Sequence, residues 1–173
     1  MVNGLLKRQL SSTKYSDLYT PFYATELIAP YLSGKIWECA CGEGHITAVL
    51  ERYGMDVIET DIALGVDFLK CETIECDYIV TNPPYELKDK FIERCYNIGK
   101  PFALLLPLTA LGGMKRNMLF REYGLEVLIP SRRINFIYKN AGKANWFHSA
   151  WFCHNVLPEM LMFVEMDREN EKW

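Results

Sequence analysis

Four consecutive residues, Asn82-Pro83-Pro84-Tyr85, carry groups that can activate a reluctant nitrogen. They follow the apolar run Tyr78-Ile79-Val80-Thr81, which reads as a buried strand. Each proline pushes its predecessor toward extended geometry, so Asn82 and Pro83 are held out of any helix. Prolines donate no backbone N–H. The Asn82 amide oxygen and the Pro83 carbonyl can therefore face outward as two acceptors on a stiff turn, with the π face of Tyr85 beside them. An amine conjugated to a ring or a carbonyl is a poor nucleophile, because its lone pair is delocalised. Accepting hydrogen bonds from its protons favours a pyramidal nitrogen, and fixed oxygens meet the charge that develops there. Asn82 cannot serve as a base, so its task is alignment. The plain alternative is a Pro-rich turn closing a core strand, since Asn-Pro is a common turn dipeptide.

A second segment, Trp37-Glu38-Cys39-Ala40-Cys41-Gly42-Glu43-Gly44-His45, has the mechanics of a nucleotide crevice. A strand ends, glycines turn without a Cβ, and a helix begins, so a ligand can approach the main chain. Asp61 comes ~20 residues later, the usual distance to a ribose-binding carboxylate. For Gly42 and Gly44 alone, an ordinary turn is an equally good account. The third glycine of the dinucleotide pattern is replaced by Thr47, and no G-x-x-x-x-G-K-[ST] phosphate cradle exists. A ligand with ribose and adenine but no pyrophosphate suits the loop better than NAD or ATP. Asp67 beside Phe68 could hydrogen-bond an adenine amine and lie against its ring, although for Phe68 a place in the core is the commoner outcome.

These groups need elements to position them. Short apolar runs alternate with helical patterns, which points to parallel strands joined by helices. Strands are expected at 36–40, 56–60, 77–81, 102–106, 126–129, 133–138, 149–153 and 161–165. Helices are expected at 18–33, opened by Thr20-Pro21, and at 46–53, 87–98 and 114–123. The tail from Asp167 to Trp173 is charged and expected to fray.

Composition narrows the class. At 173 residues, half of them apolar, the chain fits one domain. No run approaches the ~18 consecutive apolar residues of a membrane span, and Met1 to Leu10 lacks a signal-peptide layout. The reading is a protein of the cytoplasm, bacterial or of a phage-infected host. The six cysteines, Cys39, Cys41, Cys71, Cys76, Cys95 and Cys153, sit mostly in apolar stretches and read as reduced core thiols. No C-x-x-C exists and His45, His148 and His154 are not at ligand spacing, so no metal site is expected. The net charge of −3 neither advertises nor excludes a polyanion partner, because local charge decides.

Taken together, these motifs resemble the N6-adenine DNA methyltransferases, especially the small phage and prophage type. Residues 37–45 are similar to their cofactor loop, Asn82-Pro83-Pro84-Tyr85 to their catalytic signature, and Asp17-Leu18-Tyr19-Thr20-Pro21 to their N-terminal cofactor motif. The resemblance covers residues 17–155, with the N-terminal motif first. It implies an α/β, Rossmann-like class I methyltransferase fold: a mostly parallel seven-stranded sheet with an antiparallel strand near the C-terminal end and helices on both faces, in a single domain spanning 1–173. It implies S-adenosyl-L-methionine as cofactor, with Tyr19, Thr20 and Pro21 near the methionine portion. Glu38, Ala40, Cys41, Gly42 and Gly44 would flank the cofactor, Asp61 and Ile62 the ribose side, Asp67 and Phe68 the adenine. Asn82 would border both ligands, and Asn82, Pro83, Pro84 and Tyr85 would hold the target base.

The partner it implies is duplex DNA with the adenine flipped out, and RNA is a further candidate. Ala40 stands where many relatives have the first glycine and Cys39 where many have proline. No separate target-recognition domain follows the fold, so the segment 131–147, with its cations, asparagines and aromatics, is the candidate substrate-contacting insertion. A polar hairpin explains that segment equally well. The same tetrapeptide occurs in enzymes that methylate adenine in RNA or the side-chain amide of glutamine in proteins. A non-catalytic interaction module on the same fold is the alternative outside enzymology. The residues do not indicate an oligomeric state.

Overall fold

The computed structural model describes residues 18–138 and 147–166. The expected helix over 18–33 is broken into pieces. Leu18–Tyr19 forms a short strand, β1, and Phe22–Glu26 a five-residue helix, α1. A single tight turn, Ala29–Tyr31, comes next. Pro30 is the reason: it removes a backbone donor and cannot continue an α-helix. The remaining elements fall within two residues of the expected bounds, with one exception. They are β2 (Lys35–Glu38), α2 (His45–Arg52), β3 (Asp56–Glu59), β4 (Tyr78–Thr81), α3 (Lys88–Ile98), β5 (Phe102–Pro107), α4 (Met114–Tyr123), β6 (Glu126–Pro130), β7 (Ile137–Tyr138), β8 (Ser149–His154) and β9 (Leu161–Val164).

The exception is the strand expected over 133–138. Only Ile137–Tyr138 is a strand, and it pairs antiparallel with β1 in a separate two-stranded ribbon. Its partner lies near the opposite end of the chain, so no local pattern announces the pairing.

The main sheet has seven strands in the order β3-β2-β4-β5-β8-β6-β9. β3, β2, β4 and β5 run parallel. β8 is antiparallel to both of its neighbours, and β9 is parallel to β6. Both faces are covered. On one, Ile36, Val80, Ala103, Leu105, Trp151 and Cys153 pack against Tyr23 and Ala24 of α1 and Ile46 and Leu50 of α2. On the other, Trp37, Ile79, Phe102, Leu104, Leu106 and Phe152 pack against Phe91, Ile92, Cys95 and Tyr96 of α3, with Leu119 and Phe120 of α4 beside them. This two-sided burial explains why β5 reads as an unbroken apolar run: every residue from Phe102 to Pro107 is buried.

The consequence for chemistry lies in the strand order. From β2 the chain adds β3 on one side and β4 on the other, so the order reverses between β2 and β4. Open α/β sheets bind ligands in the crevice at such a point, beyond the carboxyl ends of the strands. The loops leaving β2 and β4 are the two that carry the glycine turn and Asn82-Pro83-Pro84-Tyr85. The register Ile36↔Tyr78 and Trp37↔Ile79 brings them out side by side.

Candidate active site

The glycine turn is built as its sequence demands. Gly42 and Gly44 have φ of +56° and +80°, in the left-handed region that favours glycine. A Cβ on Gly44 would stand 3.0 Å from Glu59 Oε1, whereas one on Gly42 would meet nothing within 4 Å. The turn is tied to β3: the Cys41 N–H donates to Thr60 O at 3.1 Å, and the Gly42 N–H to Asp61 Oδ2 at 3.1 Å. The other Asp61 oxygen accepts from the Ala63 N–H at 2.7 Å and caps one tight turn, Ile62–Leu64. That turn leaves Ile62 64% exposed at the rim of the crevice, an apolar side chain with no core to fill.

Glu38, the last residue of β2, is fully buried. Its Oε1 accepts from the Ala40 N–H at 3.2 Å, and Oε2 meets no hydrogen-bond partner among the described residues. Burial raises its pKa to about 8. The Thr81 hydroxyl and the Ala40 amide pull the other way, while Asp61 and Glu59 add to the rise. Burial also pushes the Cys41 thiol up to about 12, so this turn holds no ready thiolate.

The acceptor half adjoins it. Asn82 is half-buried; its Nδ2 donates to Thr20 Oγ1 at 3.0 Å, and its Oδ1 is enclosed without a partner among the described residues, so the amide oxygen does not face outward as the proline turn predicts. Pro83 is buried and Pro84 half-buried; the Pro84 carbonyl accepts from the Leu87 N–H at 2.8 Å and closes one tight turn, Tyr85–Leu87. Tyr85 stands edge-on to two other rings, Phe147 at 5.6 Å and Phe136 at 6.2 Å.

One short segment joins the two halves. Thr20 is 4% exposed and holds Asn82. Its neighbour Tyr19 reaches the glycine turn: its hydroxyl donates to Glu43 Oε1 at 3.4 Å and its ring lies 5.1 Å from that of His45. Pro21 is buried at the start of α1, and Phe22 meets His45 edge-on at 5.7 Å.

Contacts thus link Tyr19 to the glycine turn, Thr20 to Asn82, Gly42 to Asp61 and Ala40 to Glu38, and Asn82-Pro83-Pro84-Tyr85 leaves the strand next to the one that the glycine turn follows. The Asp67-Phe68 pair is placed differently. Phe68 is 3% exposed, stacked on Phe91 at 4.9 Å and edge-on to Trp37 at 5.2 Å, so its faces serve the core. Asp67 pairs with Lys70 at 2.8 Å, which holds its pKa below the usual carboxylate range, and accepts from the Leu69 N–H.

Two rings at the site, Phe136 and Phe147, carry no motif of their own, and nothing in the sequence singles out His45, which closes the glycine-turn segment. The two phenylalanines fall within the segment marked for substrate contact, which was their one signal. The centre of that segment, 139–146, lies outside the described residues, as do Asp17 and the tail 167–173. No group of three or more potential metal ligands occurs among the described residues. No described helix is long and apolar enough to cross a membrane.

The architecture is a Rossmann-like methyltransferase fold. Compared by sequence, the chain matches no protein-family model and no curated protein. Compared by structure, it is similar to many solved proteins, among them the following three. A Vibrio vulnificus protein described as a modification subunit of a type I restriction enzyme superposes with a TM-score of 0.57 at 10% identity, over 98% of this chain and 51% of that one. The M protein of the type I restriction enzyme EcoKI gives 0.54 at 11% identity, over 87% and 46%. A Pyrococcus horikoshii protein described as an RNA methyltransferase gives 0.52 at 14% identity, over 89% and 96%. The chain therefore spans about half the length of the two restriction subunits and nearly all of the third protein.

Proposed function

We propose that this chain transfers a methyl group from S-adenosyl-L-methionine to the N6 amine of adenine in DNA, with the base turned out of the duplex. The observation that carries the reading is the placement of Asn82. Thr20 holds its amide nitrogen and leaves its oxygen without a partner among the described residues, and the neighbouring Tyr19 reaches Glu43 of the glycine turn.

The crevice suits the cofactor on its own terms. The left-handed glycines let a ligand approach the main chain, and a methyl at Gly44 would press on the Glu59 carboxylate. Asp61 keeps acceptor lone pairs after its two backbone bonds, enough for ribose hydroxyls. Ile62 offers apolar cover for a ring. Glu38 has a buried oxygen without a hydrogen-bond partner among the described residues, which a polar group of the ligand could satisfy. When bound, the cofactor supplies an electrophilic methyl on a sulfonium.

The residues of the chain do the rest. Asn82 Oδ1 would accept a hydrogen bond from the target amine, which draws electron density toward its nitrogen. Tyr85 offers its ring to the extruded base, which offsets part of an unstacking cost of a few kcal/mol. Phe136 and Phe147 fix the angle of that ring. Arg132 and Arg133, both exposed, extend the acceptor side toward phosphates. The similarity to two restriction-modification subunits favours DNA. A second reading, RNA adenine, is favoured by the match to nearly the full length of the protein described as an RNA methyltransferase.

The test is transfer of labelled methyl to DNA, RNA and protein substrates, with cofactor binding measured by titration. Wild type should label adenine in DNA. Asn82→Ala should bind cofactor normally and lose turnover by ~100-fold or more, the scale of removing one preorganised transition-state partner. Turnover retained in Asn82→Ala would refute the role given to this residue. Label appearing in protein alone would refute the substrate.

A further inference from the structure

Tyr23 lies one layer away from the groups that would touch either ligand. It is 7% exposed in α1, packed in the core beneath the sheet face. Its hydroxyl accepts from the Asn135 N–H at 2.8 Å and donates toward Asn135 O at 3.4 Å. A single phenol thus grips both backbone polar groups of one residue, 112 positions along the chain. A pairing of that kind fixes backbone position and leaves the side chain of Asn135 out of it.

The neighbour of Asn135 gives the grip its meaning. Phe136, 5% exposed, presents its ring to Tyr85. From Ser131 to Phe136 the chain belongs to no strand; the ladder to β1 begins only at Ile137. On the other side, α1 starts two residues after Thr20, which holds Asn82. One rigid piece, residues 19–23, therefore touches the glycine turn, the Asn82 amide and the backbone behind the aromatic wall.

We infer that Tyr23 is a positioning residue for the acceptor: it holds the Asn135–Phe136 backbone so that Phe136 sets the Tyr85 ring at the angle needed to receive a flat base. This rests on the function proposed above. Stacking on the wall acts alike on the bound substrate and on the transition state. Loosening the wall should therefore raise KM for the acceptor and leave kcat nearly unchanged.

Tyr23→Phe keeps the ring and its packing and deletes only the hydroxyl. With an adenine-containing DNA duplex as substrate, KM should rise about fivefold to tenfold, the factor that one neutral hydrogen bond represents. The cofactor Kd should stay within about twofold, since residues 40–44 are untouched. In a Phe136→Ala background the same change should add nothing, because the element it positions is already gone. A purely structural role would instead lower Tm and kcat together at constant KM. If Tyr23→Phe does not fold, Asn135→Pro removes the donor from the other side and is judged by the same KM criterion. Unchanged KM, or losses that add in the double variant, overturns the inference. Wild type that methylates no nucleic acid overturns the proposed function and this inference together. Active wild type with an indifferent Tyr23→Phe overturns this inference alone.

Discussion

Glu38→Gln should flatten the pH dependence of stability between about pH 4.5 and 8 and make the variant the more stable protein at alkaline pH. Glu38 is fully buried and its pKa stands at about 8 against an ordinary 4.5. Between those values the folded chain keeps a proton that the unfolded chain releases. Stability from this site is fully present below pH 4.5 and is lost as pH rises toward 8. At ~1.36 kcal/mol per pH unit, the whole span is on the order of 5 kcal/mol, and relaxation around the charge makes that an upper bound. Gln has the size of the neutral acid, keeps an oxygen for the Ala40 N–H and titrates nowhere in this range. Urea unfolding of both proteins at pH 5, 7 and 9 isolates the site, because all other titrations cancel in the difference. Wild type should lose several kcal/mol relative to Glu38→Gln between pH 5 and 9. Parallel pH profiles would refute the reasoning, as would wild type gaining on the variant with rising pH.

The glycine turn gives a paired prediction. Gly44→Ala should weaken cofactor binding at least tenfold and cost about 1–2 kcal/mol in chemical unfolding, since φ is +80° and the new Cβ would press on Glu59 at 3.0 Å. Gly42→Ala has room for its methyl and should show a similar backbone cost with a smaller effect on titrated affinity. In α3, Arg94 donates to Phe68 O at 3.1 Å and to Cys71 O at 2.6 Å. Arg94→Ala should lower stability by ~1.5–3 kcal/mol in chemical unfolding while leaving the cofactor Kd and the DNA KM nearly unchanged, because the segment it ties down belongs to the core.

What could be read from the sequence was what is local in it. The apolar run Phe102–Leu106 announced a central strand, because both of its faces are buried. Asn82-Pro83-Pro84-Tyr85 announced a stiff turn, because proline chemistry acts on its own neighbours. Glycines 42 and 44 announced a turn, because glycine's lack of a Cβ acts locally; that both are left-handed came from the structure. What escaped depends on distant partners. The β1–β7 ribbon, the Tyr23 grip on Asn135 and the meeting of Tyr85 with Phe147 each join residues from different parts of the chain, and no periodicity encodes them. The single helix expected over 18–33 failed on Pro30, a local signal outweighed by the apolar spacing around it. Phe68 shows the reverse hazard: an aromatic beside an aspartate suggested a ligand contact, and the core claimed its ring between Trp37 and Phe91.

The central claim is that Asn82 activates an adenine amine beside the glycine turn. Long-read mapping of modified bases in DNA from cells expressing the chain tests it most directly. N6-methyladenine should appear with wild type and be absent with Asn82→Ala made at equal level. Methyladenine persisting with Asn82→Ala, or unmodified DNA alongside methylated RNA or protein in wild-type cells, would contradict the account.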